Sequence, residues 1–385
     1  MTVQDRKVEV AKEWMKSSHR RTYKSVCFMP GQDAPKDLYN LWRGFRVKPV
    51  CEEDSNPQSV EGVRLFLEHI LENICDGDPA LAKWLVGYFA QLVQRPWEKP
   101  LTALVFTGRK GVGKSTVAET IKYLLGGHGI QTGDDRYLVG HFNSHMAYNL
   151  FLILEEACWA GNKKAEGMLK NLITSKENVI ENKGKDPILV NSCSRICIIG
   201  NEQWVVPATE DERRFAVFAV GEKRMQDRQY FIKMRKGMEA GGYSLLLNYL
   251  MNFDLSDIDV DEAPKTEGLH QQKSQSLNPF KAWWLDCLYE GVIIGVEMEQ
   301  WTSDVSKDRF RRSFSQYIKD RNIKSRIPDE RAFGRLIVSL VPTVDPLKKA
   351  LEDGRYVRVY RFPDLETCRK NWEDHIGHNV SWAEG

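Results

Sequence analysis

The sequence lacks a long apolar run and has no cysteine pairs at metal-binding or redox spacing. No stretch of about 18 consecutive apolar residues occurs in it, and its N-terminal segment has no apolar centre, so we expect neither a membrane span nor a signal peptide. Its eight cysteines are scattered, with no CxxC motif and no Cys/His pair at zinc spacing. We interpret them as reduced thiols, which predicts a cytoplasmic protein.

The sequence also lacks an excess of charge of either sign. It has 55 basic and 53 acidic residues, and a formal net charge of +2 excludes both a protein that coats polyanions with its whole surface and an acidic disordered chain. Any nucleic-acid surface must therefore be local. The 385 residues, 42% of them hydrophobic, suffice for one sizeable core and one or two smaller ones, so we expect two or three domains.

Hydrophobic patterning divides the chain into five segments. We expect a small appendage over residues 1–60 and a helical region over 61–100, where apolar residues recur at helical spacing. Short apolar strands alternate with helical stretches over 101–253, which predicts an α/β domain with a mostly parallel central sheet. Residues 254–279 are polar and acidic and are interpreted as a linker. Residues 280–385 contain three helical segments and the strand RYVRVYRF.

One motif predicts a nucleotide site. GRKGVGKS, at residues 108–115, fits GxxxxGK[ST], with the strand TALVF before it and the helix STVAETIKYLL after it. A glycine-rich turn folds its N–H groups around phosphate oxygens at a helix N-terminus. Lys114 is then expected to contact the β- and γ-phosphates, and the Ser115 hydroxyl to ligate Mg²⁺. The candidate nucleotide-binding residues are Gly108, Gly111, Val112, Gly113, Lys114, Ser115 and Thr116.

Two further apolar strands end in polar residues suited to nucleotide hydrolysis. NLFLILEEA ends in Glu155, expected in the Mg²⁺ shell, and Glu156, expected to polarise the attacking water. The alternative for this pair is a solvated acidic start of a helix. SRICIIGN ends in Asn201, a candidate sensor of the terminal phosphate, although an asparagine after a strand is also a common turn former.

Two arginines follow in VVPATEDERRFAVFAV, between an acidic loop and an apolar strand. Arg213 or Arg214 is a candidate arginine finger, which would stabilise charge on the γ-phosphate held by a neighbouring subunit. Such a finger acts only in an oligomer. The alternative is an exposed pair bonded to the local acids.

The ordered motifs GRKGVGKS, LFLILEEA, IENKGKDP and CIIGNEQWVVPATEDERRF resemble the superfamily III helicase core, a modified AAA+ ATPase, in the version found in phage and plasmid primase-helicase proteins. The resemblance covers residues 100–220. It implies an AAA+-like P-loop core with lid helices over 101–253, an oligomerisation collar over 61–100, and a hexameric ring with ATP and Mg²⁺ bound between subunits. It also implies a location in a bacterial cell or in the host cell of a phage.

The resemblance assigns further roles to single residues. NVIENKGKDPILVNS would be a β-hairpin that projects into the ring channel, with Lys183 and Lys185 at its tip on single-stranded DNA. Asn201 becomes the sensor of the γ-phosphate, and Arg214 matches the arginine finger better than Arg213 does. Glu155 stands where some relatives have Asp.

The C-terminal segment has a basic patch. Residues 307–326 include eight basic and two acidic residues, a local balance of +6, with Phe310, Phe314 and Tyr317 at helical spacing. We expect a winged-helix-like α+β domain with these aromatics in its core and the basic residues on phosphate. The alternative is a solvated basic helix face.

These features predict an ATP-dependent helicase that acts on single-stranded and forked DNA in replication, with no membrane partner. The residues before the core contain no paired-carboxylate cluster, so we expect a primase or polymerase domain elsewhere in the same chain or in a partner chain. The alternatives are an AAA+ remodeller or loader that acts on a protein, and a nucleotide-gated DNA-binding scaffold.

Overall fold

The chain divides into two compact units in a computed structural model. The first unit comprises Met1–Pro207 and Arg213–His270, and the second comprises Ala208–Glu212 and Gln271–Gly385. The structure describes residues 10–133, 144–155, 163–180, 188–201, 205–208, 212–294, 300–321, 323, 327–350, 356–376, 380 and 382.

Helices and strands alternate along most of the first unit. Its described helices are α1 (Val10–Lys16), α2 (Pro57–His69), α3 (Pro79–Gln94), α4 (Lys114–Leu125), α5 (Lys163–Thr174), α6 (Arg228–Gly237) and α7 (Tyr243–Met251), followed by α8 (Glu267–Gln275), which continues past the unit boundary. Its described strands are β1 (Ser25–Cys27), β2 (Leu38–Asn40), β3 (Ala103–Thr107), β4 (Gly129–Thr132), β5 (Phe151–Glu155), β6 (Glu177–Ile180), β7 (Ile188–Asn191), β8 (Arg195–Ile199) and β9 (Phe215–Ala219).

A five-stranded parallel sheet forms the centre of the first unit. Its strand order is β4-β5-β8-β3-β9, and every neighbouring pair is parallel. The runs ALVFT, FLILE, RICII and FAVFA are buried over nearly their whole length, as expected of strands covered on both faces. The α/β prediction with a mostly parallel sheet is confirmed. Strand β8 lies between β3 and β5, so the ends of these three strands are neighbours.

A helical layer precedes the sheet in the chain. Asn56 caps α2 by accepting a hydrogen bond from Ser59 N, and Asp78 caps α3 in the same way. A π-helical turn, Ile70–Ile74, extends α2 toward the sheet. Helix α2 crosses α6 closely, because a Cβ atom on Gly62 would lie 2.5 Å from the carbonyl carbon of Gly237.

The interpretation of residues 254–279 as a linker is wrong over much of that range. The backbone N–H of Leu101 donates to Asp261 at 2.8 Å, the Thr102 hydroxyl donates to Val260 O, and Val260 itself is buried. Helix α8 follows directly. This segment is ordered because Val260 and Ala263 are buried in the core of the first unit, and because its polar groups pair with the chain as it enters β3.

The second unit is an α+β arrangement around an aromatic core. Its described helices and strands are α9 (Pro279–Glu290), β10 (Asp304–Ser306), α10 (Lys307–Asp320), α11 (Glu330–Leu340), β11 (Asp345–Ala350), β12 (Tyr356–Arg361) and α12 (Leu365–Ile376). The strands form an antiparallel sheet of order β10-β12-β11. Phe310, Phe314 and Tyr317 are buried in this core, as expected from their spacing.

The sequence prediction for the second unit missed one helix and two strands. Strand β10 has three residues, and β11 is the exposed run DPLKKA, which shows no apolar alternation. Both strands pair with β12, so their position depends on a partner rather than on local pattern. None of the helices built from the described residues is both long enough and apolar enough to cross a membrane.

The close crossing of α2 and α6 gives a stability prediction. Gly62→Ala should lower the free energy of unfolding by about 1–3 kcal/mol, because its methyl group would overlap backbone that cannot move alone. Chemical denaturation would measure the loss. The matched control is Gly167→Ala in α5, which has open space around it and should stabilise the protein by about 0.5–1 kcal/mol. Equal effects of the two substitutions would contradict the close contact.

Candidate nucleotide site

The loop at residues 108–115 joins the carboxyl end of β3 to the N-terminus of α4. Gly108, Gly111 and Gly113 have φ angles of +133°, +83° and +92°, in the region that favours glycine. A Cβ atom on Gly113 would also lie 2.6 Å from Nε2 of His69. The glycines of the motif are therefore required by backbone conformation and, at Gly113, by packing.

Three consecutive carbonyl groups of this loop accept hydrogen bonds from outside it. The pairs are Gln226 N to Gly111 O at 3.0 Å, Asn73 Nδ2 to Val112 O at 2.7 Å, and His69 Nε2 to Gly113 O at 3.3 Å. In a trans peptide the N–H points opposite to the C=O. The N–H groups of Val112, Gly113 and Lys114 therefore point away from these partners, and the three residues line a cavity of about 410 Å³.

His69 lies buried behind the loop. Burial is the main cause that lowers the pKa of its imidazole to about 4, while the hydrogen bond to Gly113 raises that pKa and the nearby Arg224 lowers it. The ring is therefore neutral at cytoplasmic pH. Because Gly113 O can only accept, the contact requires the tautomer protonated at Nε2.

The Lys114 ammonium lies at the mouth of the loop. It donates to Gly108 O, to Arg109 O at 2.7 Å and to Asn201 Oδ1 at 2.9 Å. Only 5% of Lys114 is exposed, and burial lowers the pKa of its ammonium, with a smaller contribution from the charge of Lys110. The lysine and the amide predicted to contact the terminal phosphate are thus brought together, because β3 and β8 are neighbours and end at the same edge.

A hydroxyl and a carboxylate meet beside the ammonium. Ser115 Oγ donates to Glu155 Oε1 at 3.0 Å, and both residues line the same cavity. Oxygen atoms of this kind suit Mg²⁺. Among the described residues, no group of three His, Cys, Asp or Glu side chains is placed to bind a metal, so a Mg²⁺ ion here would take its other ligands from phosphate and water.

Three predicted site residues lie outside the described residues: Glu156, Lys183 and Lys185. The arms of the predicted hairpin are described, since β6 and β7 pair antiparallel with Val179 opposite Leu189. The hairpin lies in the chain directly before β8.

Arg213 and Arg214 lie at the other edge of the sheet. They precede β9, and Arg214 O accepts a hydrogen bond from Ala103 N at 2.7 Å, at the amino end of β3. A strand of this length spans roughly 16 Å. This separation exceeds the length of an arginine side chain. Neither residue can therefore contact the loop at residues 108–115 of its own chain, which we call the phosphate loop.

Sequence reasoning missed a second, larger cavity beside the loop. It has a volume of about 810 Å³, and Thr116 and Phe231 line both cavities. In its wall the rings of Tyr123 and Tyr243 stack with their centroids 3.8 Å apart, and the Arg46 guanidinium lies 4.2 Å from the Tyr123 centroid. Arg46 lies in the segment 1–60, which we interpret from the sequence only as an appendage. No sequence motif indicates that Arg46, Tyr123 or Tyr243 belongs to a site.

Comparisons with known proteins bear on the fold. A family described as "Family of unknown function (DUF5906)" matches residues 106–214, which contain every predicted site residue. A DNA primase-polymerase of Nitratiruptor phage NrS-1 is 24% identical over 239 residues, which are 60% of this chain and 30% of that protein. The chain therefore spans less than a third of this curated relative.

Solved structures of the NrS-1 C-terminal region share the fold. An apo structure has a TM-score of 0.61 at 19% identity and covers 88% of this chain and 84% of that one. A second form of the same region has a TM-score of 0.60 at 17% identity, with the same coverage. The likeness extends over both units of the chain.

The hydrogen bond from Asn73 to the loop gives a second prediction. Asn73 is fully buried, donates to Val112 O and accepts from Arg224 N. Asn73→Ala leaves both partners unsatisfied, so the free energy of unfolding should fall by about 1–3 kcal/mol. The Kd for ATP should rise on the order of tenfold, because the loop N–H groups lose their fixed direction.

Calorimetry and chemical denaturation would measure both effects. The control is Asn252→Ala, because Asn252 is exposed and its side chain bonds to Asn248 at a distance from the loop, so the substitution should change neither quantity. An unchanged Kd for Asn73→Ala would show that Asn73 does not orient the loop.

Proposed function

We propose that this protein is an ATP-dependent DNA helicase of phage or plasmid-type replication that works in the cytoplasm of a bacterial cell. The observation that carries the proposal is the contact set of Lys114 with Asn201 and of Ser115 with Glu155, beside a loop that lines a cavity of about 410 Å³. This set has the components that bind and hydrolyse a nucleoside triphosphate with Mg²⁺. The order of motifs resembles superfamily III and AAA+ ATPases.

The phosphates of ATP would occupy the smaller cavity. Lys114 would neutralise charge on the β- and γ-phosphates, and Ser115 with Glu155 would hold Mg²⁺. The larger cavity shares Thr116 and Phe231 with the smaller one and would hold the nucleoside. Its basic and aromatic wall suits a ribose and a base.

Hydrolysis would use the residue after Glu155. Glu156 follows the end of β5 directly, so we assign it the role of polarising the attacking water. Asn201 would hydrogen-bond the γ-phosphate without adding charge. Its amide already touches the Lys114 ammonium, which supports a shared task at the terminal phosphate.

The ATP site would be completed by a neighbouring subunit. Arg214 lies at the amino edge of the sheet and cannot contact its own loop, so as a finger it must act on another chain. We propose a hexameric ring with ATP between subunits, in which Arg214, with Arg213 beside it, stabilises transition-state charge. Known fingers contribute on the order of 10³ to 10⁵ in rate.

The DNA-binding part would be the β6–β7 hairpin. Lys183 and Lys185 lie in the sequence between its two arms, and six copies in a ring would contact successive phosphates of one strand. The similarity to a phage DNA primase-polymerase supports a role in DNA replication. A priming domain would belong to the same or a partner chain.

The second unit would be a winged-helix module. Its order is one helix, a short strand, two helices, two antiparallel strands and a final helix, with the first strand added at one edge, and this order supports the assignment. Arg309, Arg311 and Arg312 are exposed on α10 and would contact phosphate oxygens.

The first test is steady-state ATPase activity with and without single-stranded DNA, together with unwinding of a forked duplex. Lys114→Ala should abolish both activities, because it removes the positive charge that would neutralise the phosphates. The Lys183→Ala, Lys185→Ala double variant should keep basal turnover and lose DNA stimulation and unwinding. A double variant at Lys83 and Lys16, exposed lysines outside the site, is the control for lost charge.

A wild-type ATPase rate that single-stranded DNA does not change, together with no unwinding of the forked duplex, would contradict the helicase function. It would favour an ATPase that acts on a protein. Unchanged turnover in Glu156→Gln would remove the proposed base, and an absence of turnover in the wild type would favour a nucleotide-gated scaffold.

A mixing experiment tests the shared site. Lys114→Ala and Arg214→Ala subunits should each be inactive alone, because each homo-oligomer lacks one component at every interface. Mixed oligomers contain some interfaces with an intact loop from one chain and an intact Arg214 from the next, so activity should reappear. A mixture as inactive as its components would exclude action in trans.

A further inference from the structure

One half-buried lysine ammonium joins three parts of the first unit. Lys99 Nζ donates to Leu172 O at 2.8 Å, to Ser175 O at 2.8 Å and to Ser192 Oγ at 2.9 Å. A lysine ammonium has three N–H donors, so these acceptors satisfy all of them. Lys99 lies in the loop between α3 and β3, far along the chain from its partners.

Each partner marks a junction. Leu172 lies in the last turn of α5 and Ser175 lies just past it, where helix carbonyl groups lack partners and favour a cation. Ser192 follows β7, where the hairpin returns to β8, and it also accepts from Asn178 in β6 at 3.0 Å. The ammonium therefore links the end of α5 to both arms of the hairpin base.

The position of these junctions connects the hairpin with the nucleotide site. Helix α5 is the next described element after β5, which ends at Glu155, and β8 ends beside Asn201. The hairpin base lies in the chain between α5 and β8. Lys99 fixes this base to the segment that enters β3, the strand that carries the phosphate loop.

Placing the Lys99 ammonium partly out of water costs free energy. Burial lowers the pKa of the Lys99 ammonium to about 8, with the Arg195 guanidinium lowering it and the Cys193 thiol raising it. Replacing a complete buried charged pair by apolar side chains is often neutral for stability, whereas removing one partner alone leaves the other groups unsatisfied. Here the charge is placed where three separate chain segments meet.

We propose that Lys99 is a positioning residue that holds the hairpin base at a fixed place on the ATP-binding sheet, so that DNA on the hairpin changes turnover at the nucleotide site. The proposal rests on the helicase function proposed above. Lys99 touches neither nucleotide nor DNA in this scheme and acts through Ser192 and the end of α5.

The test compares basal and DNA-stimulated ATPase activity of Lys99→Met with wild type. Basal turnover and the KM for ATP should stay within about twofold, while the stimulation by single-stranded DNA should fall by roughly five- to tenfold or more, the usual range of a coupling between two sites. Lys99→Arg should restore part of the stimulation, because a guanidinium keeps the charge and several donors.

Lys83→Met is the matched control. Lys83 is exposed and pairs with Asp257, so both activities should remain at the wild-type level. If Lys99→Met does not fold, Ser192→Ala removes one of the three acceptors and should lower the stimulation by a smaller factor. A parallel fall of basal and stimulated turnover, or no change in the stimulation, would overturn the proposal.

Amide hydrogen exchange separates this proposal from the helicase function. Lys99→Met should increase exchange over residues 176–180 and 188–192 with no increase in the central sheet, whatever the protein does with DNA. If wild type shows no DNA stimulation, the helicase proposal fails, and the exchange data alone decide whether Lys99 positions the hairpin. Unchanged exchange at the hairpin base would refute it.

Discussion

The hydrogen bonds behind the phosphate loop set the direction of its backbone, and the rest of the site depends on that direction. Three carbonyl groups are turned toward Gln226, Asn73 and His69, so the three N–H groups of the same peptides point away from these partners. Two of these partners come from α2 and its π-helical extension. The helical layer before the sheet therefore shapes the candidate nucleotide site directly, and its role is not restricted to covering the core.

Much of the sheet and the central contacts could be predicted from the sequence. The strands are apolar runs of ordinary length that alternate with helical stretches, and parallel strands end at one edge. Polar residues placed just after such strands must therefore lie near each other, as Lys114 and Asn201 do, and as Ser115 and Glu155 do. The prediction needed only the identity of the strands and not their order.

Some residues at the candidate site were not indicated by the sequence, because they contact the loop or the second cavity from parts of the chain that are far away in sequence. His69 and Asn73 stand four apart on the buried face of α2 and its extension, and a polar pair at that spacing among apolar residues was the one available signal. Arg46 carries no such signal, since it meets the second cavity from a segment without regular pattern. Strands β10 and β11 likewise take their form from β12.

The neutral state of His69 keeps one source of positive charge away from the loop at residues 108–115 near neutral pH. A histidine with an ordinary pKa would gain a proton as a cell acidifies toward pH 6 and would add a positive charge directly behind bound phosphates. With its pKa near 4, this ring does not titrate in that range. Any pH dependence of ligand binding at this loop between about pH 5 and 8 should therefore come from groups other than His69.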